Sequence, residues 1–186
     1  MSQPTPLVFF FRRIFLLGIL ALIIWGLIAL FGFVGGLFNQ QPAATITEGQ
    51  ECAPGTVAVN AVIGDGTTEQ LSFAAGVNPY LWFTLTNTGT VECKFNGGPR
   101  VTFFTIKSGS EQIWSSRDCD RTGLVDKWVT LKPNTTFVWA ANDWRKVYSS
   151  STGCGDGQKP VSPGAYALTA EVNGVISGNY EQFIIN

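Results

Sequence analysis

The sequence predicts an all-β, two-sheet antiparallel sandwich carried behind a single transmembrane helix. Three observations predict it. Residues 14–38 read IFLLGILALIIWGLIALFGFVGGLF, with no charged residue, Asn, Gln or Pro. As a helix this run is about 37 Å long, enough to cross a hydrocarbon core of about 30 Å with some tilt. Beyond residue 51, short alternating apolar runs are separated by Gly, Asn and Pro turns, and no helical period follows residue 39. All four cysteines, Cys52, Cys93, Cys119 and Cys154, also fall beyond the run.

Arg12 and Arg13 directly precede the apolar run, and the first charge after it is Glu48. The positive-inside bias then places residues 1–13 in the cytoplasm and the C-terminal part outside, in a cell membrane crossed once. The run exceeds the length of a secretory h-region, so it reads as a retained signal anchor rather than a cleaved signal peptide. Its contact with the lipid bilayer is the first expected partnership. Gly32 and Gly36 form a Gly-x-x-x-Gly pair, which either packs against another helix in lipid or reflects the general frequency of Gly in such helices. Residues 39–51, NQQPAATITEGQE, read as a flexible tether.

Residues 52–186 form one domain's worth of chain. Beyond the apolar run lie ten basic and thirteen acidic residues, a net charge of −3. That balance argues against nucleic acid as a partner and does not favour adhesion to anionic headgroups. An even number of cysteines in an oxidising compartment implies two disulfides. Of the three connectivities, Cys52–Cys93 with Cys119–Cys154 ties each half of the domain separately. With no His and no Cys-x-x-Cys anywhere, a zinc site has no support, and no cofactor is expected.

The strands come in order along the chain. Residues 56–63, TVAVNAVI, alternate before a Gly64-Asp65-Gly66 turn. Residues 69–75 form a short strand. In residues 80–87, YLWFTLTN, Leu81, Phe83 and Leu85 share one face, with Tyr80, Trp82, Thr84 and Thr86 on the other. Residues 90–95 carry Cys93. Residues 101–107 and 112–116 make a hairpin about Ser108-Gly109-Ser110. Residues 128–131 precede a Lys132-Pro133-Asn134 turn, and residues 135–141 place Phe137 and Trp139 on one face. After a Ser- and Gly-rich loop, residues 165–172 alternate. Asn173-Gly174 is a tight hairpin signal, and residues 175–185 return along that strand.

Several segments in this order resemble a known family. FTLTNTG, VTFFTIKSGSEQIWSS, the Leu131-x-Pro133 turn before an aromatic strand, and PGAYALTAEV followed by FII are similar to the bacterial intracellular proteinase inhibitor (BsuPI-type) domain. The resemblance covers residues 83–185. It implies an immunoglobulin-like sandwich and, as an activity, proteinase inhibition. Its motifs are turn and core signatures, and they transfer no inhibitory residue. The Asp118-Cys119 pair, the Trp144 segment and Cys154 look more like membrane-anchored actinobacterial variants.

No catalytic residue emerges. The absence of His removes the usual Ser-His-Asp and Cys-His sites. Asp118, Asp120 and Asp156 are oxygen donors, but they lack Ca²⁺-loop spacing and read as solvated loop residues. Tyr80 and Trp82, opposite the apolar face of their strand, are the candidate binding residues if that face is open. The expectation is a non-enzymatic, membrane-tethered extracytoplasmic interaction domain that binds an envelope or membrane-complex protein. The alternatives are cell-wall glycan binding through Tyr80 and Trp82, and inhibition of an extracellular protease.

Overall fold

The computed structural model describes residues 15, 17–20, 22–26, 49–155 and 157–186. The chain divides into two compact units, Met1–Ala44 and Thr45–Asn186. In the first, the described residues between 15 and 26 are helical and exposed. Among the described residues no helix is long and apolar enough to cross a membrane. The expected cytoplasmic segment, the rest of the expected span with Gly32 and Gly36, and the tether up to residue 48 lie outside the described residues.

The second unit is all-β. Its strands are β1 (Val57–Gly64), β2 (Ser72–Phe73), β3 (Tyr80–Asn87), β4 (Cys93–Asn96), β5 (Thr102–Ser108) and β6 (Glu111–Ser115). They continue with β7 (Trp128–Leu131), β8 (Thr136–Val138), β9 (Asn142–Asp143), β10 (Gly164–Val172), β11 (Val175–Ile176) and β12 (Glu181–Ile185). One sheet runs β1-β3-β8, with β9 also on β3; a second runs β2-β12-β10-β5-β6, with β11 on β10; β4 and β7 form a two-stranded ribbon. All pairings are antiparallel except β2 with β12.

The alternation read from the sequence explains the layering. Val57, Val59, Ala61 and Ile63 of β1 and Leu81, Phe83 and Leu85 of β3 turn one face inward. Phe104, Ile106, Tyr166, Leu168, Ala170 and Val172 of β5 and β10 meet them. Each Val, Leu, Ile or Phe among them, taken from water, contributes about 1.5–3 kcal/mol before entropy is counted. Two sheets thus enclose one sandwich-like core. Both expected disulfides form, Cys52–Cys93 and Cys119–Cys154.

Two departures from the expected strands have local causes. The run expected over residues 175–185 is split. Ser177 breaks it, because its hydroxyl accepts from the Ala170 N–H at 3.1 Å and so replaces a backbone carbonyl in the ladder. Within residues 69–75 only Ser72–Phe73 form a strand, β2, parallel to β12, and Glu69 makes an isolated antiparallel bridge to Gly64. The Asn173-Gly174 hairpin forms as expected, with φ of 49° and 80° at its two central residues.

The two edges of the first sheet differ. Several outward-facing groups of β1 are met by loop residues. The Asn179 side chain accepts from the Ala61 N–H and donates to its carbonyl, both at 2.9 Å. Gly178 N–H donates to the Val59 carbonyl at 2.9 Å, and Gln70 N–H to that of Ile63 at 3.0 Å. β8 pairs with β3 alone, and all three of its residues are exposed.

Candidate functional site

Tyr80 and Trp82, the candidate binding residues if their face were open, do not form an exposed pair. Tyr80 is 39% exposed but Trp82 only 6%. The cause is the turn after β1. Asp65 N–H donates to the Thr68 carbonyl at 3.0 Å, and the Asp65 carboxylate accepts from the N–H groups of Thr68 and Thr67. These bonds, that to Thr68 first, hold the Asp65 carboxyl below the ordinary carboxylate range. The turn lies back over the outer face of β3. The tip of the Trp82 indole sits 2.7 Å from where a Cβ would stand on Gly64, so only glycine fits there. Gly66, at φ +100°, lies on the Tyr80 ring in the same way. The Gly-Asp-Gly sequence was legible as a turn, but not the face that it covers.

A different site is visible between the two sheets. A cleft of about 480 Å³ is walled by Phe83, Phe104, Trp114, Trp139 and Trp144, with Leu124 at its side. This is within the usual range for ligand pockets, roughly 300–1,000 Å³. Each wall is placed by a separate device. Phe83 comes inward from β3 and stacks on Trp139, with centroids 5.3 Å apart and planes at 18°. Phe104 reaches the same ring set from β5, 6.2 Å from Phe83. Trp139 comes directly after β8 and keeps one ladder bond, donating its N–H to the Phe83 carbonyl at 3.0 Å. Gly97 lies beneath it, where any Cβ would stand 2.5 Å from the indole.

Trp144 is the largest fully buried side chain, although its neighbours Asn142, Asp143 and Arg145 are exposed. Its indole N–H donates to the Val147 carbonyl at 3.3 Å. Trp114 donates to the carbonyl of Cys154 at 3.1 Å, which fixes the Cys119–Cys154 bridge at the cleft wall.

The polar lining is largely committed to holding loops. The Thr102 hydroxyl shares its one proton between the Gly97 and Gly98 carbonyls, each at 3.0 Å. Arg121 donates to the carbonyls of Ser116, Pro99, Arg100 and Thr102 and lies over the Phe103 ring. Burial, followed by the nearby Arg117 charge, lowers the Arg121 pKa from its ordinary value. Lys127 places its ammonium 5.2 Å from the Trp139 ring centre. Next to it, Asn96 and then Arg100 hold the Asp126 carboxyl below the usual range. Among the described residues Asp143 is the single carboxylate of the cleft lining.

The other carboxylates weighed from the sequence serve loops. Asp118 accepts from the Ser149 hydroxyl, and Asp120 accepts from the Thr122 N–H at 2.9 Å. Asp156 lies outside the described residues. Among the described residues no group of three or more His, Cys, Asp or Glu is placed to hold a metal ion. The sequence pointed to Trp139 and to the disulfide separately; it held no signal that Phe83, Phe104 and Trp144 would close around them.

No family model matches the sequence, and no curated protein matches it. Solved structures show distant likeness. The Pseudomonas fluorescens alkylpurine DNA glycosylase AlkC, bound to DNA containing an abasic-site analogue, is 14% identical over 70% of this chain and 30% of that one, with a TM-score of 0.39. A mutant β-glucosidase from Listeria innocua in complex with laminaribiose is 7% identical over 70% of this chain and 16% of its own, at a TM-score of 0.38. A β-glucosidase from Erythrobacter marinus is 15% identical over 69% and 16%, also at 0.38. This chain spans less than a third of the length of these proteins, and likeness of this size carries no argument about function.

Proposed function

We propose that this chain is a single-pass membrane protein whose extracytoplasmic, immunoglobulin-like domain binds a protein of the cell envelope or of a membrane complex and carries out no reaction of its own. The observation that carries this reading is the cleft between the sheets. Its walls are aromatic, and its Thr102 and Arg121 groups are spent on holding loops rather than aimed at a substrate. Well-packed aromatic pockets are where protein partners anchor. The two disulfides fit an oxidising compartment, and Arg12 and Arg13 before the apolar run fit an N-terminus inside. The resemblance to BsuPI-type domains supports the immunoglobulin-like description and adds nothing to the choice of partner.

The test is isolation of the full-length protein in mild detergent from its native membrane, beside protease treatment of intact spheroplasts. Stoichiometric recovery of one membrane or envelope protein, lost with Trp139→Ala, is expected, with the C-terminal domain shaved by protease. Recovery of the protein alone, together with its sedimentation on purified cell wall, would overturn the reading in favour of glycan binding. Protection of the domain from protease would overturn the orientation.

A further inference from the structure

We infer that β8 is the strand on which an extended, acidic segment of the partner polypeptide adds, sending an apolar side chain into the cleft beside Trp139; this rests on the partner-binding reading above. Strand addition needs a row of unpaired backbone donors and acceptors on an accessible edge. Trp139 directs its N–H to Phe83, and Phe137 stands opposite Leu85 in the same alternation. Val138, between these two residues, and Thr136, before them, therefore direct their N–H and C=O groups away from β3. β8 has no second strand partner among the described residues, and Val138 is 62% exposed.

The second requirement is a receptor for alternate side chains of the added strand. Phe137 and Trp139 lie on the cleft side of the sheet, with centroids 5.6 Å apart, and Phe137 is 38% exposed. A strand laid beside β8 places every second side chain on that same face, next to the cavity walled by Trp139, Phe83 and Phe104.

Charge selects the segment. Among the described residues the cleft lining carries Arg121 and Arg145 against Asp143, and Lys127 lies over Trp139 with the Arg100–Asp126 ion pair next to it, so the rim keeps a positive balance. An acidic strand is complementary to that rim, whereas a second copy of this chain would bring two basic rims together. A three-residue strand pairing with its own copy would also bury far less than the roughly 1,200 Å² of a stable interface.

The probe is a short, end-capped peptide in which glutamates alternate with leucines, compared with the same peptide carrying lysines for glutamates. The receptor is the full chain in nanodiscs of neutral lipid, with 5-fluorotryptophan in place of tryptophan. The expected result is slowed hydrogen exchange at the Thr136 and Val138 amides, a shift of the Trp139 fluorine resonance, and weaker binding of the lysine peptide. Val138→Pro removes one outward N–H where no ladder bond is broken, and should weaken binding about tenfold, the worth of one good hydrogen bond. Val138→Thr keeps the N–H and should bind as the parent does.

Equal binding by Val138→Pro, binding that leaves both amides unprotected, or no binding of the glutamate peptide would each overturn the inference. So would concentration-dependent self-association abolished by Val138→Pro, which assigns the edge to a second copy. Capture of the native partner separates this failure from that of the underlying reading. A partner retained equally by Val138→Pro leaves partner binding standing and removes strand addition; no partner captured by the parent protein removes both.

Discussion

The two edges of the β1-β3-β8 sheet start from similar material and end differently. Both strands alternate apolar residues inward, and both turn backbone groups outward. Along β1 the Val59 and Ile63 carbonyls and both groups of Ala61 are met by Gly178, Gln70 and Asn179. Along β8 nothing among the described residues pairs with the outward groups. The difference lies in the neighbour that each edge has in space. In the gap between β11 and β12, a loop side chain with one donor and one acceptor imitates a neighbouring strand. Beside β8 stands an aromatic cleft instead. An open edge is an association hazard in water, and β8 limits it by being three residues long.

The largest effect is expected where the open side is held together covalently. Cys119→Ala with Cys154→Ala removes a bridge that closes a separation of 35 residues. Unfolding in urea should show a loss of about 3–4 kcal/mol from loop-closure entropy. The native baseline should change only on the β8 side. Trp139 fluorescence should shift to the red, while the Ala61 amide keeps its protection relative to global unfolding. Equal loosening at both edges would mean that the two are not independent.

Asn179→Ala attacks the closed edge. It leaves the Ala61 N–H and C=O without their partners, at a cost of about 2–3 kcal/mol. It also turns β1 into a second open edge, a long one, so light scattering on warming should rise well before that of the parent. Unchanged scattering would show that Gly178 and Gln70 suffice to close the strand.

The sequence made the inward faces of β3, β5 and β10 legible because alternation reports burial directly. It made the Asn173-Gly174 hairpin and the cysteine pairing legible because each has a local or topological signature. The edges were not legible. Asn179 looks like any loop asparagine, and its work lies 118 residues away on Ala61. The cover over Trp82 was not legible, because alternation separates two faces without saying which is covered, and the cover comes from a turn that reads only as a turn. Trp144 sits in a polar stretch with no period at all, so its burial depends wholly on contacts distant in sequence, such as Trp114, Tyr166 and Phe183.

Gly97→Ala tests whether the open edge is held from beneath. A Cβ there meets the indole ring of Trp139, a rigid plate rather than the end of a flexible chain. The ring must leave its stack on Phe83, at about 1–3 kcal/mol for an overpacked site. The near-ultraviolet circular dichroism of the folded protein should weaken, and peptide capture at β8 should fall with it. Ala61 exchange should not respond.

The smallest effect is expected at Glu181, on the closed side. Asn179 donates to its carboxylate at 2.8 Å with the same amide nitrogen that donates to Ala61. The Glu181 pKa is raised, first by burial and then by the charge of Glu69, with the Asn179 bond opposing both. A carboxyl raised in the folded state binds its proton more tightly there than in the unfolded chain. Its stabilising share is complete below the unfolded pKa and is lost as pH rises through the raised folded value, leaving a charged group that costs stability above it. Glu181→Gln removes that charge and keeps an oxygen for Asn179 to reach. Its melting temperature should therefore be slightly above that of the parent near neutral pH, and the two should converge in acid. Asp65 and Asp126, whose pKa values are lowered, run the other way and destabilise both proteins as pH falls, so the difference between the curves isolates Glu181. A lower melting temperature for Glu181→Gln at neutral pH would reverse the argument. The charge of Glu181 would then be what steadies Asn179 against Ala61, and the closed edge would depend on an ionised carboxylate rather than tolerate one.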